Sequence, residues 1–439
     1  MTNYDNGQHW SGRVQEFLSV TRHSRGMQVS SNRKVSHRRT NPAVSSPAKP
    51  LVQDKVSIGG SPSKMELVES APVDSDFDQA DIRNVQEVWM EMIEGAKDEI
   101  LWETFYIAHK KGEATEPVLN ALKDAAKRGV DVKLLVDEKF LGYNPEPAAS
   151  LSEVENIEIK TSPMGKWFGG VMHAKGMFVD GEVGFLGSQN LDWRSIDHVR
   201  ELGIRFEDKE LVSEYTEVFN WEWNQSDKDS PPAQKAASDS APTVLQGSQV
   251  YPTFSPTSLN NKKTANDQDE ILNLLNTAEE SVEVALLSYN PVARDKTTFH
   301  PEVDNALRAA ATRGVDVRLM VGNWMEHKAA VKHLISLDAL DNLEVRACRV
   351  PEGDHGDIPF ARVHHSKYLL KDNEDAWMGT SNWEHGYFHK SRNIGMIIQD
   401  GEIPQRIGNF FEYDWERSTA IEDLSDQPRE RVKDSSDPI

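Results

Sequence analysis

The chain has 439 residues, one cysteine and a formal net charge of −22. That length sustains two or three cores without a disulfide or metal staple, and the acidity excludes a globally basic coat for nucleic acid while leaving room for a local basic pocket. No apolar run approaches the roughly 18 residues of a membrane span, and the opening MTNYDNGQHWSGRV lacks the apolar stretch of a secretory signal, so the expected setting is cytoplasmic or peripheral to a membrane.

Residues 1–64 carry ten Lys/Arg against three Asp/Glu, and their Ser, Asn and Pro content with no sustained hydrophobic period reads as a disordered basic tail. Contact with an anionic membrane or nucleic acid, and an overextended start, stay open for it. A first lobe is expected over 65–224. Val85, Val88, Trp89, Met92, Ile93 and Ala96 fall at helical spacing behind a capping box of Asn84 and Glu87, and the apolar strand ILWETFYI follows. Residues 225–266, rich in Ser, Pro and Ala, read as a linker. A second lobe over 267–422 repeats the plan with Ile271, Leu274, Leu275 and Ala278 and then VEVALLSY. The repeat is literal at Ala125 to Leu134 (AAKRGVDVKL) and Ala310 to Leu319 (AATRGVDVRL), and Phe219 with Trp223 and Phe411 with Trp415 close the halves alike. Residues 423–439 read as a disordered acidic tail. Strands alternating with helices in two copies imply an α/β fold of two lobes, each a sheet covered on both faces.

The chemistry lies in a duplicated motif. His173, Lys175, Asp180, Gly187, Ser188 and Asn190 match His365, Lys367, Asp372, Gly379, Thr380 and Asn382, and both obey H-x-K-x4-D-x6-G-[ST]-x-N. A lone H-x-K carries almost no information, whereas two complete copies in a duplicated chain do. On a strand His and Lys at i and i+2 share a face, so each half is expected to offer an imidazole beside an ammonium. The lysines supply positive charge to a phosphoryl oxygen, with Asn190, Asn382, Ser188 and Thr380 as hydrogen-bonding partners. Paired about a pseudo-twofold axis, one histidine attacks phosphorus and the other protonates the leaving oxygen, giving a phosphohistidine with neither metal nor cofactor. Asp180 and Asp372 are expected to hold the motif turn within their own lobes.

Glu201 follows His173 by the same 28 residues by which Asn393 follows His365. If each touches its own histidine, Glu201 makes His173 the more basic, which assigns His173 as nucleophile and His365 as general acid.

These residues closely resemble the phospholipase D superfamily with its duplicated HKD motif, over roughly Glu66 to Glu422. GSQNLDWRSIDHVRELG and YLLKDNEDAWMGTSNWEHGYF look like the branch of animal lysosomal phospholipase-D-like 5′-exonucleases and poxvirus envelope phospholipases. The resemblance implies a bilobed phospholipase D fold of two pseudo-twofold-related α/β/α lobes, a cleft between them, and metal-independent phosphodiester transfer. The lysosomal relatives have an N-terminal membrane anchor and disulfides, features this sequence does not display, so their compartment is not carried over.

Substrates within the superfamily are phospholipids, single-stranded nucleic acid ends, or both. Hydrolysis or headgroup exchange of a phospholipid is favoured, with a single-stranded 5′-exonuclease as the alternative and an inactive lipid- or nucleic-acid-binding scaffold as the second. Trp383, Tyr387 and Phe388 after the second motif, and Trp167 with Phe168 before the first, are the candidate cleft aromatics, able to stack bases or bed acyl chains. Met164 to Val171 (MGKWFGGV) offers a small interfacial loop for transient membrane contact. Asp354, His355 and Asp357 read as solvated loop residues and not metal ligands. Two motifs in one chain make oligomerisation unnecessary for the site.

Overall fold

The computed structural model describes residues 64–226, 228, 249–260, 264–399 and 401–426. The expected disordered segments 1–64 and 423–439, apart from the described ends at 64 and 423–426, lie outside them, as does most of 225–266.

In the first half, strand β1 (Lys64–Ser70) is followed by helix α1 (Val85–Gly95), β2 (Glu99–Thr104), α2 (Thr115–Lys127), β3 (Asp131–Asp137), β4 (Ile157–Ser162), β5 (Gly176–Val179), β6 (Val183–Gly187), the short helix α3 (Trp193–Asp197), β7 (Glu201–Glu207) and α4 (Lys209–Trp223). The second half repeats the plan with β8 (Val250–Ser255), α5 (Asp267–Thr277), β9 (Ser281–Leu286), α6 (Glu302–Arg313), β10 (Asp316–Gly322), β11 (Leu343–Cys348), β12 (Tyr368–Lys371), β13 (Asp375–Gly379), α7 (His385–His389), β14 (Asn393–Gln399), α8 (Glu402–Glu416) and β15 (Ser418–Ala420). The first sheet runs β1-β7-β6-β5-β2-β3-β4, with a two-strand pairing of Arg83–Asn84 on its β1 edge, and the second runs β8-β14-β13-β12-β9-β10-β11-β15.

Asn84 Oδ1 accepts the Gln86 N–H at 2.9 Å and starts α1, while Glu87 turns to Arg83 instead of completing a capping box. The apolar stripe of α1 is buried with α2 on the outer face of the first sheet, and α5 and α6 form the matching outer core of the second. The inner faces share one core. Phe178, Leu186 and Ile204 of one sheet and Tyr368, Met378 and Met396 of the other close on α4 and α8, where Phe219 stacks on Trp223 and Phe411 on Trp415.

Two expectations change here. The linker 225–266 contains β8, which pairs antiparallel with β14 from Val250↔Ile398 to Ser255↔Asn393. The second lobe therefore begins at about Val250. Its opening strand, VYPTFS, is interrupted by Pro252, which an edge strand tolerates because one side of its backbone needs no partner. Met164 to Phe168 forms a short helix, with Met164 buried and Trp167 and Phe168 packed on the central core, so no exposed apolar loop stands there. Gly169 ends it at φ +71, and a Cβ on Gly170 would collide with the Lys390 backbone, so this turn is pinned between the lobes.

Candidate active site

The two motifs meet because the lobes exchange short bridges. Met172 pairs with Arg392 and His364 with Arg200, so the His173 N–H donates to the Arg392 carbonyl at 2.7 Å and the His365 N–H to the Arg200 carbonyl at 2.8 Å. Each arginine is buried and held by acids. Arg200 pairs with Glu69 and Asp414, and Arg392 with Glu222. Glu222 lies on α4 and Asp414 on α8, so the two central helices lock both bridges.

This crossing overturns one expectation. Glu201 does not contact His173. Its Oε1 stands 3.2 Å from His365 Nδ1, while Asn393 Oδ1 lies 3.0 Å from His173 Nδ1. The 28-residue spacing identified the right residues but not their partners, because the strand that begins at Glu201 is bridged to the other lobe's histidine segment. The Asn393 amide is oriented by its surroundings: Nδ2 donates to the Tyr387 carbonyl at 2.9 Å and to Ser255 Oγ at 3.0 Å, and Oδ1 also receives the Thr380 hydroxyl. Oδ1 is therefore an acceptor, His173 Nδ1 carries the proton, and its Nε2 keeps a lone pair.

His173, Lys175, His365 and Lys367 lie just ahead of β5 and β12. Each lysine folds back onto the carbonyl of its own histidine, Lys175 at 2.8 Å. Lys175 and Lys367 are both about 1 % exposed. Burial, and secondarily the charge of Lys367, pushes Lys175 well below the usual lysine range, and burial brings Lys367 down to about 7. Burial, with the lysines next, also holds both histidines well below the ordinary imidazole range. Glu201 moves the other way: burial lifts it to about 7 against the pull of Lys367. A phosphoryl anion beside the histidines would favour the protonated form of His365.

Both histidines, Glu201, Asn190 and Asn382 line a cavity of about 660 Å³. Ser188 and Thr380 lie behind it, bonded to the backbones of Leu202 and Ile394. Asp180 and Asp372 are turned away. Asp180 accepts the N–H groups of Lys97, Asp98 and Glu99, and Asp372 those of Glu279, Glu280 and Ser281, so each braces a helix-to-strand turn in its own lobe.

Of the expected cleft aromatics only Tyr387 lines the cavity, its ring 4.8 Å from that of His173. Trp383 and Phe388 are buried in the outer core of the second lobe, and Trp167 donates its Nε1–H to the Lys228 carbonyl away from the cleft. The walls are instead Phe105, Tyr106, Phe140, Trp193, Trp324 and Phe360. Phe105 and Phe140 sit after β2 and β3, at the carboxyl ends of parallel strands, which is the signal that would have found them. His355 and Asp357 also line the mouth of the cleft, with His355 Nε2 3.2 Å from Asp74 of the first lobe, while residues 351–357 are exposed, as expected of a solvated loop. Among the described residues no cluster of His, Cys, Asp or Glu is arranged to hold a metal ion.

The PLD-like domain model described as "Cardiolipin synthase, PLD-like domain" matches residues 89–223 and 271–415. Phospholipase D Z of Dictyostelium discoideum is 29% identical over 385 residues, covering 82% of this chain and 90% of that protein. The 5'-3' exonuclease PLD4 of Mus musculus is 27% identical over 403 residues, covering 81% and 79%. Among solved structures, phosphatidylserine synthase of Haemophilus influenzae superposes with a TM-score of 0.57 at 14% identity, over 83% of this chain and 90% of that one, a likeness of fold.

Proposed function

The chain belongs to this PLD-like domain family, and from that premise we propose that it cleaves phosphodiesters through a phosphohistidine on His173. The observation that carries the assignment is the crossed pairing of the histidines. His173, its Nδ1–H fixed by Asn393, presents a neutral Nε2 lone pair to phosphorus. His365, backed by the Glu201 carboxylate, is the imidazole able to hold a proton for the leaving oxygen. The proposal keeps as nucleophile the residue expected from the sequence, but on the opposite argument: the carboxylate stands beside the acid and not the nucleophile.

In the first step the His173 Nε2–P bond forms, the P–O bond to the leaving group breaks, and the His365 Nε2 proton passes to that oxygen. In the second, His365 takes a proton from water, the resulting hydroxide oxygen bonds to phosphorus and the P–N bond breaks. An alcohol in place of water yields exchange. Lys175, Lys367, Asn190 and Asn382 are the groups at hand for the phosphoryl oxygens.

Substrate follows from the cleft. Aromatic rings of both lobes line the cavity, Phe105, Tyr106 and Phe140 in mutual contact from one and Trp324 and Phe360 from the other, and the exposed large hydrophobics among the described residues, Val73, Tyr143, Phe299 and Ile335, are scattered and form no apolar rim. This arrangement suits stacked bases, and a single-stranded nucleic acid end is the better-supported substrate. A phospholipid is the second reading, favoured by the apolar strip of Val199, Leu287, Ile358 and Val363 along one wall. The test is incubation in EDTA with a 5′-hydroxyl single-stranded oligonucleotide, an activated chromogenic diester and phospholipid vesicles, with His173→Ala beside the native protein. Shortening of the oligonucleotide by the native protein alone supports the first reading. Cleavage of the chromogenic diester and lipid alone supports the second, and loss of all three supports a binding scaffold.

A further inference from the structure

The halves register at an offset of 192 residues, which aligns His173 with His365, Asn190 with Asn382, Ser195 with Tyr387 and Glu201 with Asn393. The first two pairs are identical and the last two are not, and both of the differing pairs surround the histidines. The division of labour between two chemically identical imidazoles has to be set by residues that differ.

Ser195 sits in α3, about 2 % exposed. Its Oγ receives the backbone N–H of the motif residue Asn190 at 2.8 Å and lies 2.7 Å from Glu201 Oε1. With its lone pair facing an N–H donor, the hydroxyl has one acceptor for its own proton, and that acceptor is Glu201. The same Oε1 faces His365 Nδ1 at 3.2 Å. A chain therefore runs from the Asn190 amide through the Ser195 hydroxyl and the Glu201 carboxylate to His365. In the other half Tyr387 occupies the matching place with a different geometry: its ring packs on His173 and its carbonyl receives the Asn393 amide. No hydroxyl backs the partner of His173 from that position.

We propose that Ser195 is a positioning residue that holds the Glu201 carboxylate beside His365 Nδ1, where its charge favours the imidazolium, and thereby gives His365, and not His173, the proton-carrying role. This rests on the phosphodiesterase reading above. Ser195 touches no reacting atom. It stabilises the charged carboxylate, and its hydrogen bond opposes the upward push of burial on Glu201.

The test compares Ser195→Ala and Ser195→Thr in the full chain on two diesters, one with an activated phenolate leaving group and one with an alkoxide. Expected for Ser195→Ala is a fall in kcat of about tenfold or more on the alkoxide diester, with KM unchanged and little change on the phenolate, which departs without a proton. Its acid limb moves to higher pH, because losing the donor lets Glu201 protonate earlier, and Ser195→Thr restores most of the rate. Equal losses on both diesters, or no loss, would overturn the proposal. An independent readout is the imidazole ¹⁵N shift of His365 with inorganic phosphate bound. Ser195→Ala should reduce its imidazolium fraction, and an unchanged shift counts against the proposal even if neither diester is turned over, an outcome that would separately sink the phosphodiesterase reading.

Discussion

At the residue scale, two imidazoles with the same motif around them are made unlike by one neighbour each, and this gives the variants opposite signatures. His173→Ala removes the atom that bonds to phosphorus and should abolish turnover of every diester. His365→Ala should lose about 10² to 10⁴ in rate on an alkoxide diester, the usual worth of general acid catalysis, yet still expel an activated phenolate. With no base left to activate water, the phosphoryl group then accumulates on His173, and mass spectrometry of peptides kept at neutral or alkaline pH locates it. Finding it on residue 365 in the converse His173→Ala variant would reverse the assignment. Lys367 sets the alkaline side. Burial holds it at about 7, so the free enzyme loses this charge as pH rises through that value and kcat/KM falls there. A bound anion raises the lysine again, so the limb in kcat must lie at higher pH than the limb in kcat/KM. Coincident limbs would show that Lys367 does not meet the phosphoryl group.

At the element scale, the motif aspartates separate structure from chemistry. Asp180 receives three backbone N–H groups at the turn from α1 to β2, and Asp372 three at the turn from α5 to β9. Asp180→Ala leaves three donors without a charged acceptor and should cost roughly 2–3 kcal/mol in urea unfolding, while kcat of the folded fraction changes less than threefold. A large loss of kcat with stability intact would place Asp180 in the chemistry. The sequence pointed to a bracing role within each lobe but placed it at the motif turn itself; the turns actually braced lie more than eighty residues earlier in the chain, and only the pairing of β5 with β2 and of β12 with β9 brings them to the aspartates. The partners of Glu201 and Asn393 were not legible. Pairing across a twofold axis is decided by which strands bridge, and Met172 with Arg392 and Arg200 with His364 are contacts between halves that periodicity within either half does not register. The strand at Val250–Ser255 was hidden for a different reason: a proline and its Ser-rich surroundings outweighed three buried residues with strand character, Tyr251, Thr253 and Phe254.

At the scale of the whole molecule, duplication made the fold readable, since a repeated AA-x-RGVDV segment and a repeated motif require two like lobes whose sites face one another. The cleft walls were less readable, because Phe105, Phe140, Trp193 and Phe360 come from loops and short helices of both lobes and share a surface only after the lobes dock. Docking buries two lysines beside the histidines: burial depresses both, and the charge of Lys367 adds to the depression of Lys175. An oxyanion at the site favours their charged forms. Sulfate, which does not titrate near neutrality, should therefore bind, raise the unfolding midpoint, and at about 100 times its Kd stabilise the folded chain by about 2.7 kcal/mol. The distinguishing signature is proton uptake. At pH 7.5 Lys367, held at about 7, is largely neutral, and sulfate should draw onto it up to about one proton. Calorimetric heats measured in buffers of different ionisation enthalpy must then diverge in proportion to that uptake. In Lys367→Arg, whose guanidinium keeps its charge, the divergence should shrink by the share that Lys367 takes up. Heats independent of buffer in the native protein would mean that the lysines are fully charged before any phosphate arrives, and the alkaline limb expected in kcat/KM would fail with them.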